Sequence, residues 1–242
     1  MHEKTKQDNQ TLIDFWDKAF AMTDKDLEKA RENGPESWKD RAPSAKLFEA
    51  ARTLGQKKKV LDYGCGSAWA GIIAAKSGCP DVTAADAAPG AVKTAQFYAS
   101  YYGVEDCVHT VCITPGWLQS IPVSTFGGFI CSNVLDVVPP ETTEEILCES
   151  ARIVTQDARI IVGLNYYLSP EAAAKRGLEL TDGNRLYLNG VLRLVSYTDE
   201  EWTKIFAPWY KVEKLEHFAW AGEEKERRRL FWLKRKENAA EI

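Results

Sequence analysis

The chain has 242 residues, 45% of them hydrophobic and 11% aromatic, with 31 basic side chains against 35 acidic ones and a formal net charge of −4 at pH 7. That is apolar material for a substantial core, and it suits one domain with additions better than two domains. The mildly acidic balance offers no bulk attraction to nucleic acid or to an anionic membrane.

In chain order, residues 9–32 are expected to be helical, because Leu12, Phe15, Trp16, Ala19 and Phe20 recur at spacings of three and four. Asn33-Gly34-Pro35 ends that segment. A second helix is expected over 43–55, with Ser44 as its cap and Gly55 as its stop. An alternation follows: strand 59–63, helix 67–78, strand 81–86, helix 89–102, strand 107–112, strand 127–133, helix 140–154, strand 158–165. This rhythm predicts a parallel sheet covered by helices. Tyr98, Tyr101 and Tyr102 crowd the end of the helix over 89–102.

Residues 166–198 break the rhythm. Thr181-Asp182-Gly183-Asn184 and Leu188-Asn189-Gly190-Val191 are turn signals, and the residues between and after them read as a hairpin inserted over the site. Thr198 with Glu201 three residues later has capping-box spacing, so 198–207 is expected to be a helix. Strands near 210–220 and 228–235 then form an antiparallel pair.

The stretch from Lys59 to Ala70 carries the chemistry. Val60 and Leu61 supply a buried strand, and Gly64 and Gly66 a turn whose backbone can be approached closely because neither residue has a Cβ. Such a turn at the carboxyl end of a parallel strand is where open α/β sheets bind nucleotide-like ligands. A dinucleotide fingerprint would need a third glycine where this chain has Trp69, and an indole cannot replace it in close helix–strand packing. Asp86 ends the second strand, 20 residues after Gly66. A carboxylate there can accept hydrogen bonds from both hydroxyls of a ribose. The pair suits an adenosine ligand without a pyrophosphate.

With Asp62, Gly64 and Gly66 in the turn, Asp86 after the second strand, and Phe126 to Pro139 as the fourth strand and its loop, the sequence resembles the class I S-adenosylmethionine-dependent methyltransferases over roughly residues 55–165. The resemblance implies a Rossmann-like α/β fold: a mostly parallel seven-stranded sheet with an antiparallel last strand. Around the implied cofactor-binding core over 56–165, the element pattern adds an N-terminal helical cover over 1–55, a lid or hairpin insertion over 166–198, and a C-terminal helix and hairpin over 199–242. S-adenosylmethionine is the implied cofactor, with S-adenosylhomocysteine as its product. The implied cofactor contacts are Asp62, Tyr63, Gly64, Cys65, Gly66, Asp86, Ala87, Trp117, Leu118, Asn133 and Val134. Ala68 departs from the family's last motif glycine. Trp117 stands where an acid often lies near the adenine, Gly127 stands for the usual Asp after the Phe of strand four, and Ala87-Ala88-Pro89 lacks the usual Ser cap.

Asp136 is the catalytic candidate. Its apolar neighbours Val134, Leu135, Val137 and Val138 can raise a carboxyl pKa toward that of a usable base; a loop cap before Pro139-Pro140 is the competing reading. Phe15, Trp16 and Trp38, with Tyr166, Tyr167 and Tyr187, could form an aromatic lid, of which Trp16, Tyr166 and Tyr167 are the expected substrate contacts. Arg193 or Arg185 could pair a substrate carboxylate. His2, His109 and His217 have no metal spacing, so no metal is expected.

The expected partner is a small-molecule methyl acceptor, with no membrane and no nucleic acid. The runs Arg227-Arg228-Arg229 and Lys234-Arg235-Lys236 sit beside Glu223, Glu224 and Glu226 and read as a solvated, charge-mixed hairpin. Two alternatives stay open: an RNA or protein methyltransferase, which turns on whether the Arg227 run shares a face with the mouth of the site, and a non-catalytic cofactor-binding protein. The six cysteines form no C-x-x-C pair and read as reduced, buried thiols. With no signal-like start and no membrane-length apolar run, the expected location is the cytoplasm.

Overall fold

The structure, a computed structural model, describes residues 3–181 and 183–237. Asp182 of the first turn signal and His2 lie outside the described residues. Two helices, α1 (Glu3–Phe20) and α2 (Asp24–Asn33), occupy the segment where one was expected. The division falls at Thr23, whose hydroxyl accepts from the Asp26 backbone N–H while the Asp26 side chain accepts from the Thr23 backbone, a complete capping box. α3 (Ala45–Thr53) begins at the expected cap, with Ser44 accepting from the Leu47 N–H.

The core alternation is present. β1 (Val60–Tyr63), α4 (Trp69–Lys76), β2 (Val82–Asp86), α5 (Pro89–Tyr101) and β3 (Val108–Cys112) follow one another. A short helix α6 (Trp117–Ser120), not foreseen in the sequence, precedes β4 (Phe126–Ser132). It is held by Arg152, whose guanidinium donates to the Leu118 and Ile121 carbonyls at 2.9 and 2.8 Å, as cations do at helix C-termini. α7 (Pro140–Ile153) leads directly into β5 (Val154–Leu164). β5 starts earlier than expected because Val154 pairs with Phe126 before an irregularity, after which Arg159 pairs with Gly128.

The insertion holds more than a hairpin. α8 (Pro170–Ala174) and β6 (Glu179–Thr181) precede β7 (Arg185–Leu188) and β8 (Val191–Val195), and β6-β7-β8 form a separate antiparallel sheet. α9 (Asp199–Phe206) has the expected Thr198/Glu201 capping box. β9 (Tyr210–Phe218) and β10 (Arg228–Arg235) complete a seven-stranded sheet of order β3-β2-β1-β4-β5-β10-β9. The first five strands are mutually parallel, and β10 lies antiparallel to both β5 and β9.

Each face of that sheet carries its own core. One gathers Phe129, Leu147, Trp202, Phe206 and Phe231 beneath α7 and α9; the other gathers Leu47, Leu54, Ile72, Ile73 and Phe218 beneath α3 and α4. The crowded aromatics of α5 seat the N-terminal segment: Tyr101 Oη donates to the Ala30 carbonyl at 2.6 Å, Tyr102 Oη meets Ser37 at 3.1 Å, and the Arg41 guanidinium lies 3.7 Å from the Tyr98 ring centre.

The basic C-terminal runs are the solvated surface expected from their charge mixing only at Arg227, Lys234 and Lys236, which are exposed. Arg228, Arg229 and Arg235 are buried. Arg229 donates to the Asn165 and Tyr197 carbonyls and Arg235 to the Val154 carbonyl, so these side chains tie β10 to its neighbours. The thiol reading is corrected at one position: Cys112 is exposed, whereas Cys65, Cys79 and Cys131 are buried. No helix among the described residues is long and apolar enough to cross a membrane.

Candidate functional site

The turn after β1 is built from left-handed backbone. Gly64, Gly66 and Ala68 have φ of +66°, +53° and +54°. Ala68 is the position where the motif resemblance calls for glycine, and it takes the glycine-type conformation at some conformational cost. The Gly64 and Cys65 N–H groups both donate to the Ala85 carbonyl at 2.8 and 3.0 Å, which fixes the turn against β2.

Two carboxylates hold this turn. Asp62 is 4% exposed, and its Oδ2 accepts the Gly71 N–H at 2.8 Å, joining the end of β1 to the first turn of α4. Burial pushes its carboxyl up to about 7, against the pull of the Gly71 N–H and with a small further push from Asp86. Asp86 accepts from Gly66 N–H through Oδ2 and from Ala88 N–H through Oδ1, both at 2.9 Å. Burial raises its carboxyl too, with these backbone donors opposing. A carboxylate has about four lone-pair sites, more than these backbone donors fill.

What overlies the turn was not foreseen. A Cβ built on Gly64 would stand 2.2 Å from Val134 Cγ2, and one on Gly66 would stand 2.7 Å from the Phe20 ring. Val134 comes from the loop after β4, and Phe20 from the last turn of α1. α1 therefore lies across the carboxyl edge of the sheet. Its C-terminal half is fixed to α5: Asp17 Oδ1 accepts the Gly90 N–H at 2.5 Å, and Thr94 Oγ1 donates to the Phe20 carbonyl at 2.6 Å. Its N-terminal half is fixed to the insertion and α7: Tyr187 Oη donates to Asp8 at 2.7 Å, and Arg185 pairs with Glu141 at 2.6 Å and with Asp8 at 3.8 Å.

The remaining expected residues fall at different places. The side chains of Tyr63 and Cys65 point into the core, Tyr63 stacking 6.4 Å from Phe129, so at these positions only the backbone belongs to the turn. Ala87 follows Asp86 in the loop to α5. Trp117 is half-buried at the start of α6 and Leu118 is in the core. Asn133 has φ of +59°, its N–H donates to the Gly163 carbonyl, and its side-chain oxygen accepts from Ser132; asparagine tolerates this left-handed backbone better than most residues.

Asp136 is 0% exposed. Its Oδ2 accepts the Asn165 N–H at 2.6 Å, and its carbonyl accepts the Val195 N–H at 2.7 Å. Burial raises its carboxyl, while the Asn165 N–H and the Arg229 charge pull it down. The raised carboxyl agrees with the sequence expectation, but the group faces the start of the insertion rather than open space.

The aromatic lid divides into three. Phe15 and Trp16 meet edge-on at 5.0 Å and Trp16 lies 5.6 Å from Phe20, all on α1, with Trp16 packed beside Leu12 and Tyr187. Trp38 stacks on Phe48 on the other side of the molecule, where it fills core and lines no site. Tyr166 lies under a group of arginines, and Tyr167 is 45% exposed. The arginines expected to meet a carboxylate are engaged: Arg185 as above, and Arg193 with its guanidinium 4.3 Å from the Phe15 ring centre. The Arg227 run does share the carboxyl edge with the glycine turn, through the contact of Arg227 with Tyr166 two residues past β5. Phe20 and Asp17 carry no local sequence signal, because their partners lie more than forty residues away. Among the described residues no group of His, Cys, Asp or Glu could hold a metal ion.

A cradle of positive-φ glycines beside a strand-end carboxylate with spare lone pairs fits an adenosyl sulfonium ligand. The family model of ribosomal protein L11 methyltransferase (PrmA) matches residues 45–162. No curated protein sequence matches the chain significantly. Among solved structures, the chain is similar to the Burkholderia thailandensis 1,6-didemethyltoxoflavin-N1-methyltransferase with bound S-adenosylhomocysteine, at 19% identity and a TM-score of 0.58, over 88% of this chain and 86% of that one. It is also similar to a TehB-like SAM-dependent methyltransferase from Corynebacterium glutamicum (15%, TM-score 0.53, 78% and 87%) and to the [4+2]-cyclase SpnF (13%, TM-score 0.53, 70% and 59%). The matched core, its turn and the strand order are those of the class I S-adenosylmethionine-dependent methyltransferases.

Proposed function

We propose that the protein moves a methyl group from S-adenosylmethionine to a small-molecule acceptor. The observation that carries the size of the acceptor is the cover: α1 and the insertion together close over the carboxyl edge, with Phe20 on Gly66 and Tyr187 bonded to Asp8. A folded macromolecule would need the whole cover displaced, whereas a small acceptor needs only the last turn of α1, at Phe20, to open. The named activity of the Burkholderia neighbour, an N-methyltransferase captured with its small acceptor, supports the same reading. The PrmA match supports a protein acceptor instead, but it covers only the cofactor-binding half.

When bound, S-adenosylmethionine supplies a methyl group made electrophilic by the attached sulfonium. In this reading the backbone at Gly64 and Gly66 receives the methionine end, Asp86 holds the ribose through its spare lone pairs, and Trp117 and Leu118 wall the adenine. Asn133 and Val134 border the transfer face. The protein's part is alignment and exclusion of water. Asp136 acts as a positioning residue that joins the loop after β4 to Asn165 and Val195. An acceptor arriving as an amine or thiolate needs no base. The soluble interior of a cell is the location that this reading favours.

SpnF has this fold under the name of a cyclase, and fold does not fix reaction, so the test has two steps. Calorimetric titration with S-adenosylhomocysteine is expected to give micromolar binding, weakened at least tenfold in Asp86→Ala. Radiolabelled methyl transfer to a panel of small amines, thiols and phenols then reads turnover. Absence of cofactor-product binding would overturn the proposal. Binding without turnover on any acceptor would favour a non-catalytic role.

A further inference from the structure

We infer that the acceptor carries an anionic group, a carboxylate or a phosphate, and that Arg176 and Arg227 hold it against Tyr166; this rests on the methyltransferase reading above. Tyr166 follows β5 at the carboxyl edge of the sheet. Three guanidinium groups surround its ring: Arg227 at 4.3 Å, Arg176 at 5.5 Å and Arg228 at 5.7 Å from the ring centre. They come from separate elements, Arg176 from the end of the α8 segment in the insertion and the other two from the connection and start of β10.

Arg228 is satisfied without a ligand. It is 7% exposed, pairs with Glu223 at 2.7 Å, and donates to Asn165 Oδ1 at 2.5 Å. Arg176 and Arg227 are different. Both are exposed, and neither has a carboxylate within ion-pair distance among the described residues. Arg176 donates one N–H to Tyr166 Oη at 2.8 Å, which leaves most of its five donors free, and Arg227 makes no side-chain hydrogen bond among them. Three like charges thus converge on one ring with a single carboxylate, Glu223, already committed. Such convergence is unfavourable, and an exposed ring face offsets only part of it. An anion between the two free guanidinium forks neutralises it, and the planar fork matches carboxylate and phosphate oxygens.

The position suits an acceptor. β5 is two strands from β1 in the order β1-β4-β5, so Tyr166 stands roughly 10 Å along the edge from the Gly64 turn. A small molecule can span that distance with its anionic end on the arginines and its nucleophile toward the turn. A nucleic acid needs a run of phosphate contacts, and here Glu171, Glu179, Glu224 and Glu226 intersperse the exposed arginines while Arg228, Arg229 and Arg235 are buried.

The test uses the full chain with S-adenosylhomocysteine present and three probes of one shape: benzoate, phenyl phosphate and the neutral benzamide. Ligand-observed NMR titration is expected to give at least tenfold tighter binding of one or both anions than of benzamide. Arg176→Gln and Arg227→Gln should each weaken the anion about tenfold and leave benzamide unchanged. The preferred anion tells carboxylate from phosphate. Cofactor-product affinity, read separately by calorimetry, should be the same in wild type and both variants. Equal affinity for benzamide and the anions, or unchanged anion binding in both variants, would overturn the inference. A single-stranded RNA dodecamer binding more tightly than the probes, with a steep salt dependence, would overturn it in favour of a macromolecular acceptor. Anion selectivity in a protein that binds no S-adenosylhomocysteine would sink the methyltransferase reading, and with it the role of the anion as methyl acceptor.

Discussion

Gly64 and Gly66 have similar backbone angles but different neighbours, and the difference sets the cost of adding one methyl group. At Gly64 the new Cβ meets Val134 Cγ2 at 2.2 Å, a branched side chain with little freedom at χ1. At Gly66 it meets the far end of the Phe20 ring, which can swing aside. Both substitutions carry the left-handed strain that Ala68 already tolerates, about 1 kcal/mol. Gly64→Ala is therefore expected to lose about 2–4 kcal/mol of stability and Gly66→Ala about 1 kcal/mol, read from urea midpoints. Equal losses would mean that Val134 yields as readily as Phe20. Asp62 adds a pH signature. Its carboxyl, pushed up to about 7 by burial, holds a proton in the folded protein that the unfolded chain, with an ordinary value of 3.8, has already lost. Stability then falls as pH rises from about 4 to about 7 and levels above that; Asp86 and Asp136, also raised, act with the same sign. Asp62→Asn keeps an oxygen for the Gly71 N–H and removes the titration. Relative to wild type it should gain stability between pH 4.5 and pH 8, by at most on the order of 4 kcal/mol. Parallel curves for the two proteins would place the buried proton elsewhere.

Among the elements, α5 shows how a helix can be capped from a distance. Its own Ncap residue, Ala88, offers no side-chain bond, and Pro89 at the first position has no N–H to satisfy. The Gly90 N–H is taken by Asp17 of α1, 73 residues earlier, and the carboxylate also suits the positive end of the helix dipole. Asp17→Ala should cost about 1 kcal/mol and speed hydrogen exchange at the Gly90 amide more than at the centre of α5. Unchanged exchange at Gly90 would remove Asp17 as the cap. This cap marks the limit of what the sequence makes legible. Ser44, and Thr198 with Glu201, are readable as caps because donor and acceptor lie three residues apart. Thr23 and Asp26 have the same spacing, but they lie between an apolar helical stripe ending at Phe20 and a charged stretch that also favours helix, so the break there does not stand out. The cofactor turn and Asp86 are readable because they occupy contiguous strand ends. α6, α8 and β6 are three to five residues long, too short for a periodic pattern. Phe20 over Gly66, and Arg176 with Arg227 on Tyr166, arise only when distant segments meet, so no window of sequence contains them.

At the scale of the molecule, α1 behaves as a bar about 27 Å long, fastened at both ends across the carboxyl edge. The two fastenings differ in kind. The N-terminal half is held by buried polar contacts, Tyr187 to Asp8 and Arg185 to Asp8 and Glu141, together with the packing of Leu12 against Leu192 and Val195. The C-terminal half rests on two hydrogen bonds to α5 and on the half-buried Phe20 ring. Beyond it, residues 21–23 have no regular structure, so the last turn of α1 can lift while the first half stays fixed. A ligand approaching the Gly66 backbone must displace Phe20, and the apparent association rate then scales with the fraction of molecules in which that turn is lifted. A half-buried phenyl ring contributes about 1–1.5 kcal/mol, which corresponds to about tenfold in that fraction. Phe20→Ala is expected to bind S-adenosylhomocysteine about tenfold faster and to release it faster as well, measured by stopped-flow tryptophan fluorescence. Tyr187→Phe, which loosens only the other end, should leave the association rate near that of wild type. Acceleration by Tyr187→Phe but not by Phe20→Ala would put the moving end of α1 on the side of the insertion, and the route to the glycine turn with it.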